Sequence, residues 1–287
     1  MYLKNDKIVA TLGTLILRSY QTGDTKQFVL DPTAVTGWTD GSNVRRNTTQ
    51  RLNSHGDFPE KAEMSARLIS FSGTAVASSI VKLQEMRDLL VGTLADGSYG
   101  SLKVETVAGT RYATVGLEGA TSWVQQSDLF ATWKIDFYAP DPFIYGEDRT
   151  VSLGASQATS GGGLKYILTY PLNYNTDQSL NRGDVLTNKG NAEAWPIIKV
   201  TGDYADGFTI MDNNDHKVTY EGQVSYQTPV TIDMGRGVAL QGGIDKSTLL
   251  LDRDWFSVAP GEILRPSFEP LSSGTGFCDI IIRDTWI

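Results

Sequence analysis

The stretch "DFYAPDPFIYG", residues 136–146, decides how this chain is read. Leading into it, Leu129, Ala131, Trp133, Ile135 and Phe137 are apolar, while Thr132, Lys134 and Asp136 between them are polar. A two-residue period of this kind predicts a strand with one face buried. Pro140 and Pro142 have no N–H to give to a sheet ladder, so regular pairing must stop there. Soon after comes "SLGASQATSGGG", residues 152–163, with no aromatic, no charge and three consecutive glycines. That is the makeup of a loosely ordered connector. The two breaks together predict a first domain over 1–147, a Gly/Ser-rich linker over 148–169 and a second domain over 170–287.

The totals agree with more than one core. A chain of 287 residues exceeds the usual domain of about 100 to 200 residues. At 40% hydrophobic and 10% aromatic it is too apolar for disorder. Acidic residues outnumber basic ones, 33 to 25, and no segment concentrates Lys and Arg as phosphate neutralisation would require. No nucleic-acid binding is expected. The apolar run "IVATLGTLIL" near the start is flanked by Asp6 and Arg18 and is too short to cross a bilayer, so it reads as strand, with no membrane partner.

Within the first domain one segment departs from strand-like patterning. In "SSIVKLQEMRDLLVGTL", about 78–94, Ile80, Leu83, Met86, Leu90 and Leu94 recur at three- and four-residue spacings, which predicts an amphipathic helix. Ser78 or Ser79 can cap its start and Gly92 can end it. "GSLKVETV" and "TRYATVGLEG" follow as two strands joined at Ala108-Gly109. Residues 31–61 form a long polar loop, and loops of that length are usually functional or ordered by a partner. In the second domain the short runs "WPIIKV", "FTIMD", "KVTYEG", "PVTIDM", "STLLLD", "WFSV" and "CDIIIRDTW" alternate with Gly, Asp and Asn turns. That spacing predicts a β-sandwich.

Chemistry-bearing patterns are scarce. His55 and His216 stand apart from any partner at metal-ligand spacing, and Asp212–Asp215 lacks the glycine and distal Glu of a calcium loop. No G-x-S-x-G elbow is present, and Cys278 lies in the apolar run "GFCDIII", where it reads as a buried small side chain. Arg182–Asp184 spells RGD and Asn47 opens a glycosylation triplet, both common by chance. Trp195, Trp255 and Trp286 could stack on sugars, although their neighbours favour core packing. No catalytic, cofactor-binding or metal-binding residue is expected, and no cofactor.

The order of features resembles the distal tail protein family of long-tailed bacteriophages with non-contractile tails. The resemblance is carried by "FVLDPTAVTGWTDGSNVRRNTTQRLNSHGDF" with its His55-Gly56 end, by "ARLISFSGTAVASSIVKLQEMRDLLVGTL" with a strand ending at Gly73 before the helix, and by "IDFYAPDPFIYG". In the second half it rests on "LTNKGNAEAWPIIKVTG", "TIDMGRGVALQGG" and "DRDWFSVAPGE".

The resemblance implies a mainly β protein, with an N-terminal ring-forming domain holding one α-helix and a C-terminal galectin-like β-sandwich. It implies a structural virion protein of the tail tip and not an enzyme. Its copies would form a homo-oligomeric ring, expected to be a hexamer. The ring would join the tail tube protein to other tail-tip, tail-fibre or receptor-binding proteins. Assembly would take place in the host cytoplasm. Two alternatives are a carbohydrate-binding module for host cell-wall attachment, whose partner would be a surface carbohydrate, and a wall-degrading glycosidase.

Overall fold

The protein's structure, a computed structural model, is described for residues 7–154 and 185–287. It divides into two compact units: Met1–Glu147 with Trp286–Ile287, and Asp148–Thr285.

Unit 1 contains β1 (Val9–Leu12), β2 (Leu15–Arg18), β3 (Lys26–Leu30), β4 (Val44–Arg45), β5 (Glu63–Met64), β6 (Arg67–Ala77), α1 (Ile80–Gly92), β7 (Gly100–Thr106), β8 (Gly109–Leu117), β9 (Ser122–Gln125), β10 (Phe130–Ala139) and the start of β11 (Ile144–Gly154). Seven of these strands run β8-β7-β1-β2-β3-β6-β10. The ring closes where Phe137 and Tyr138 of β10 pair with Leu117 and Gly116 of β8, so unit 1 is built on a barrel. Closure removes the open edges that a flat sheet would expose. β10 keeps the expected alternation: Ala131, Trp133, Ile135, Phe137 and Ala139 all point into the core. There Phe28 meets Trp133 edge-on at 5.7 Å between ring centres, and Phe71 meets Phe137 at 6.1 Å.

Helix α1 is shorter at both ends than the apolar spacing suggested. The Ser79 hydroxyl accepts the Lys82 N–H at 3.4 Å, and Leu83, Met86 and Leu90 are its buried residues. Gly73, expected to end its strand, instead lies inside β6, opposite Leu30 of β3 and Trp133 of β10. A Cβ there would sit 2.0 Å from the Val29 carbonyl oxygen. Glycine is what lets β3 come this close while β6 continues to Ala77.

At the end of β10 the two prolines do stop the ladder. The Asp141 carboxylate between them accepts the Phe143 N–H at 3.0 Å and the Tyr145 hydroxyl at 2.6 Å, which turns the chain into β11. Residues 148–154, expected in the linker, are the second half of that strand. Val151 and Leu153 alternate with exposed residues and enter the core of unit 2, which outweighs the weak strand propensity of the flanking Ser and Gly. The rest of the linker, 155–169, and the RGD triplet lie outside the described residues.

Unit 2 adds β12 (Leu186–Thr187), β13 (Ile197–Asp203), β14 (Phe208–Met211), β15 (Lys217–Tyr220), β16 (Val230–Asp233), β17 (Val238–Gln241), β18 (Ile244–Asp245), β19 (Leu250–Arg253), β20 (Ile263–Leu264), β21 (Ser267–Pro270) and β22 (Thr275–Trp286). One sheet runs β18-β17-β16-β13-β22 and a second β19-β15-β14-β21. Ile198, Val230, Ile232, Cys278 and Ile280 from the first share a core with Phe208, Ile210, Val218, Tyr220 and Phe268 from the second. This is a β-sandwich, as the strand spacing predicts. Cys278 is fully buried within it, and burial pushes its thiol far above the ordinary range, so it is inert.

Trp286 was expected with the second domain, but it groups with unit 1. Its ring packs against that unit's core and carries the Arg111 guanidinium 4.1 Å from its centre. The cation over its indole face and the core contact tie Trp286 to unit 1.

Candidate assembly surface

The long polar segment after β3 is an arm. β4 pairs with β5 through Val44↔Met64 and Arg45↔Glu63, and further out Gln50 bridges Asp57. The Phe58 N–H donates to the Thr49 carbonyl at 3.0 Å and the Arg51 N–H to that of Gly56 at 3.2 Å, so the arm is a β-hairpin with His55 at its tip. Gly56 has φ +92°, in the left-handed region where a side chain is disfavoured. Arg45 pairs with Glu63 at 2.8 Å, and the Arg51 guanidinium lies 5.4 Å from the Phe58 ring centre.

Every residue from Asn43 to Lys61 is exposed. Leu52 is 98% exposed and Phe58 and Val44 more than half. The arm's backbone pairs with itself at its base and near its tip, while these apolar side chains stay exposed. Single exposed apolar residues are ordinary; three on one protruding hairpin suit an interface.

The arm's base is held firmly. Arg67, at the start of β6, is 2% exposed. Its Nη1 donates to the carbonyls of Gly37 at 2.7 Å and Asp40 at 2.8 Å, and its Nε donates to the carbonyl of Pro142 at 2.8 Å. Burial lowers its pKa while the nearby Asp40 carboxylate raises it, and the guanidinium remains charged at neutral pH. Carbonyl dipoles of two loops thus replace the carboxylate that a buried arginine would ordinarily need.

Beside α1, unit 1 also has two adjoining grooves of about 260 and 590 Å³ that share Thr14 and Leu89. The smaller has Phe28 and Met86 in its walls, with Arg18, Lys26 and Glu85 at its polar side.

In unit 2, Asp212 spends its carboxylate on its own turn. Oδ1 accepts the N–H groups of Asn214 and His216, and Oδ2 faces His216 Nδ1 at 2.8 Å. Among the described residues no group of three His, Cys, Asp or Glu is placed to hold a metal ion. Trp195 is 43% exposed and Trp255 half-buried.

Arg67 carried no signal in the sequence, because its three acceptors lie about 30 and 75 residues away along the chain. The arm's hairpin was hidden for a different reason: its strands lack the apolar alternation that a core imposes.

Residues 189–269 match the family of the siphovirus-type tail component, C-terminal domain. That match lies within unit 2 and supports the resemblance to distal tail and baseplate-hub proteins. In fold the chain is similar to the Dit protein of phage SPP1, which is described as a paradigm of the hub adsorption apparatus in phages infecting Gram-positive bacteria. The TM-score is 0.63 at 12% identity, covering 98% of this chain and 99% of that one. A chain of the phage P2 baseplate in its activated conformation with calcium gives 0.46 at 12% identity, covering 97% of each chain. No curated protein matches the chain in sequence. The family match supports a structural role in a phage tail, with the virion tail as its location.

Proposed function

We propose that the protein is a ring-forming component of the phage tail tip, six copies to the ring, that joins the tail tube to the tip and receptor-binding proteins. The observation that carries this reading is the arm: a self-paired hairpin, exposed from Asn43 to Lys61, on a base that Arg67 locks. An arm that reaches from each copy onto the next makes a heterologous contact, and such contacts close into a ring when the rotation fits. Unit 2, a tail-component domain, is the surface offered to other tail proteins. Copies fold and assemble in the host cytoplasm and act in the virion. The contribution is architectural, without catalysis.

The arm can be removed cleanly, because the Ser65 N–H already donates to the Asn43 carbonyl at 2.7 Å. Replacing residues 44–64 with a short Gly-Ser turn leaves both ends where they are. Light scattering and negative-stain averages of the intact protein should show a six-fold ring, and the variant should stay monomeric with an unchanged unfolding midpoint. A variant that still forms rings would defeat the arm's role, and a strictly monomeric intact chain at high concentration would defeat self-assembly.

A further inference from the structure

One patch of unit 2 has the makeup of a ligand site, independently of ring assembly. Ala194 and Val258 exchange N–H···O bonds of 3.0 and 2.8 Å, which pairs the segment around 193–196 antiparallel to that around 255–258. Ala194, Phe256 and Val258 face the core. The alternate residues Glu193, Trp195 and Ser257 therefore share the opposite, outward face, and the partly buried Trp255 at its edge also packs against the core of unit 2. Ser257 Oγ donates to the Glu193 carboxylate at 3.4 Å, as that placement requires.

The turn after β16 lies against both indoles at Gly235 and Gly237. A Cβ on Gly235 would stand 3.1 Å from the Trp195 Cβ and 3.3 Å from its Cγ. One on Gly237 would stand 3.4 Å from Cε2 and 3.5 Å from Nε1 of Trp255. Gly237, at φ +65°, is in the region glycine favours. Glycine at both places lets the turn approach the indoles this closely. A core would have buried Trp195, yet 43% of it remains in contact with water.

We propose that this face is a saccharide subsite that takes an uncharged pyranose. The C–H face of the sugar stacks on the Trp195 indole with Trp255 at its flank. The Glu193 carboxylate accepts from a ring hydroxyl, and the Ser257 hydroxyl completes the polar side. An aromatic plane beside a carboxylate matches the two-sided character of a pyranose, apolar across its face and polar around its rim. The same carboxylate repels an acidic sugar, which sets the charge preference.

The test uses the full chain and saturation-transfer NMR with three probes: methyl β-D-glucopyranoside, methyl β-D-galactopyranoside and D-glucuronate. Saturating the indole protons should transfer magnetisation to the ring protons of at least one neutral pyranoside and much less to glucuronate. Trp195 is exposed at its position, so W195A should fold and lose affinity at least about tenfold, while W195F retains most of it. E193Q should weaken the neutral sugar and narrow its advantage over glucuronate. The proposal is overturned by absence of transfer to both neutral pyranosides, or by transfer that persists unchanged in W195A.

Discussion

Arg67 reaches across unit 1 to Pro142: its Nε–H donates to that proline's carbonyl at 2.8 Å, while its Nη1 holds the carbonyls of Gly37 and Asp40. One buried guanidinium thus ties the base of the arm to the turn that ends β10. The proline that breaks the sheet ladder supplies an acceptor in return, because it lacks an N–H but keeps its carbonyl. Lysine cannot reproduce the fork, and methionine leaves three acceptors unanswered. R67M should destabilise unit 1 by about 3 kcal/mol or more, with R67K between it and the parent. The check is the denaturant midpoint together with amide exchange over residues 37–42. An R67K protein that matches the parent in both would refute the tie.

Gly73 is required for space, not for backbone freedom. The strand is extended there, but a Cβ would meet the Val29 carbonyl oxygen at 2.0 Å, which no rotation of a side chain can relieve. Gly73→Ala must push β3 away from β6 at the centre of the barrel, at a cost of about 2–4 kcal/mol. Gly92→Ala is the control, since nothing lies within 4 Å of a Cβ at that position. Thermal unfolding of the two variants should separate them clearly, and equal midpoints would refute the close approach.

Features that a core imposes were legible in the sequence. β10, α1 and the strands of unit 2 show their periodicity because one face of each is buried, so burial is written into residue type. The same rule explains the misreadings. Val151 and Leu153 follow a clear alternation, but the glycines and serines around them outweighed two apolar residues when read as composition. Trp286 reads like any strand-end aromatic; its assignment to unit 1 depends on Arg111, which lies far away along the chain. The arm's hairpin, with no core to face, left no period at all. The face holding Trp195 and Trp255 was visible only as two tryptophans, because the Ala194–Val258 bridge that aligns them joins segments more than sixty residues apart.

Tyr204 is fully buried in unit 2, where its ring meets Phe268 edge-on at 5.6 Å and packs beside Gly202, Gly274 and Gly276. Its hydroxyl has no hydrogen-bond partner among the described residues, and burial pushes its pKa up to about 12. Removing that oxygen deletes a desolvated polar group and keeps the ring. Y204F should therefore match or exceed the parent in stability, by up to about 1 kcal/mol. Y204A, which loses the ring, should cost about 3–5 kcal/mol. Urea denaturation of both variants tests the difference, and a Y204F protein clearly weaker than the parent would reveal a bond the hydroxyl makes.

His216 gives unit 2 a dependence on pH whose sign is fixed by its partner. The hydrogen bond that the imidazolium donates to Asp212, then that residue's charge, raises the imidazole above its ordinary value, with Asp254 and Asp215 adding to the effect and burial opposing it. A raised folded-state pKa means that the folded protein holds the proton more tightly than the unfolded chain. The stabilisation is fully present below the unfolded value of about 6.5 and is lost as pH rises through the higher folded value. The melting temperature should therefore decline over that window in the parent and lose this component in H216Q. NMR titration of the His216 ring should place its midpoint above the ordinary histidine value of about 6.5. A His216 midpoint at or below the ordinary value would mean that the Asp212 contact does not hold in solution.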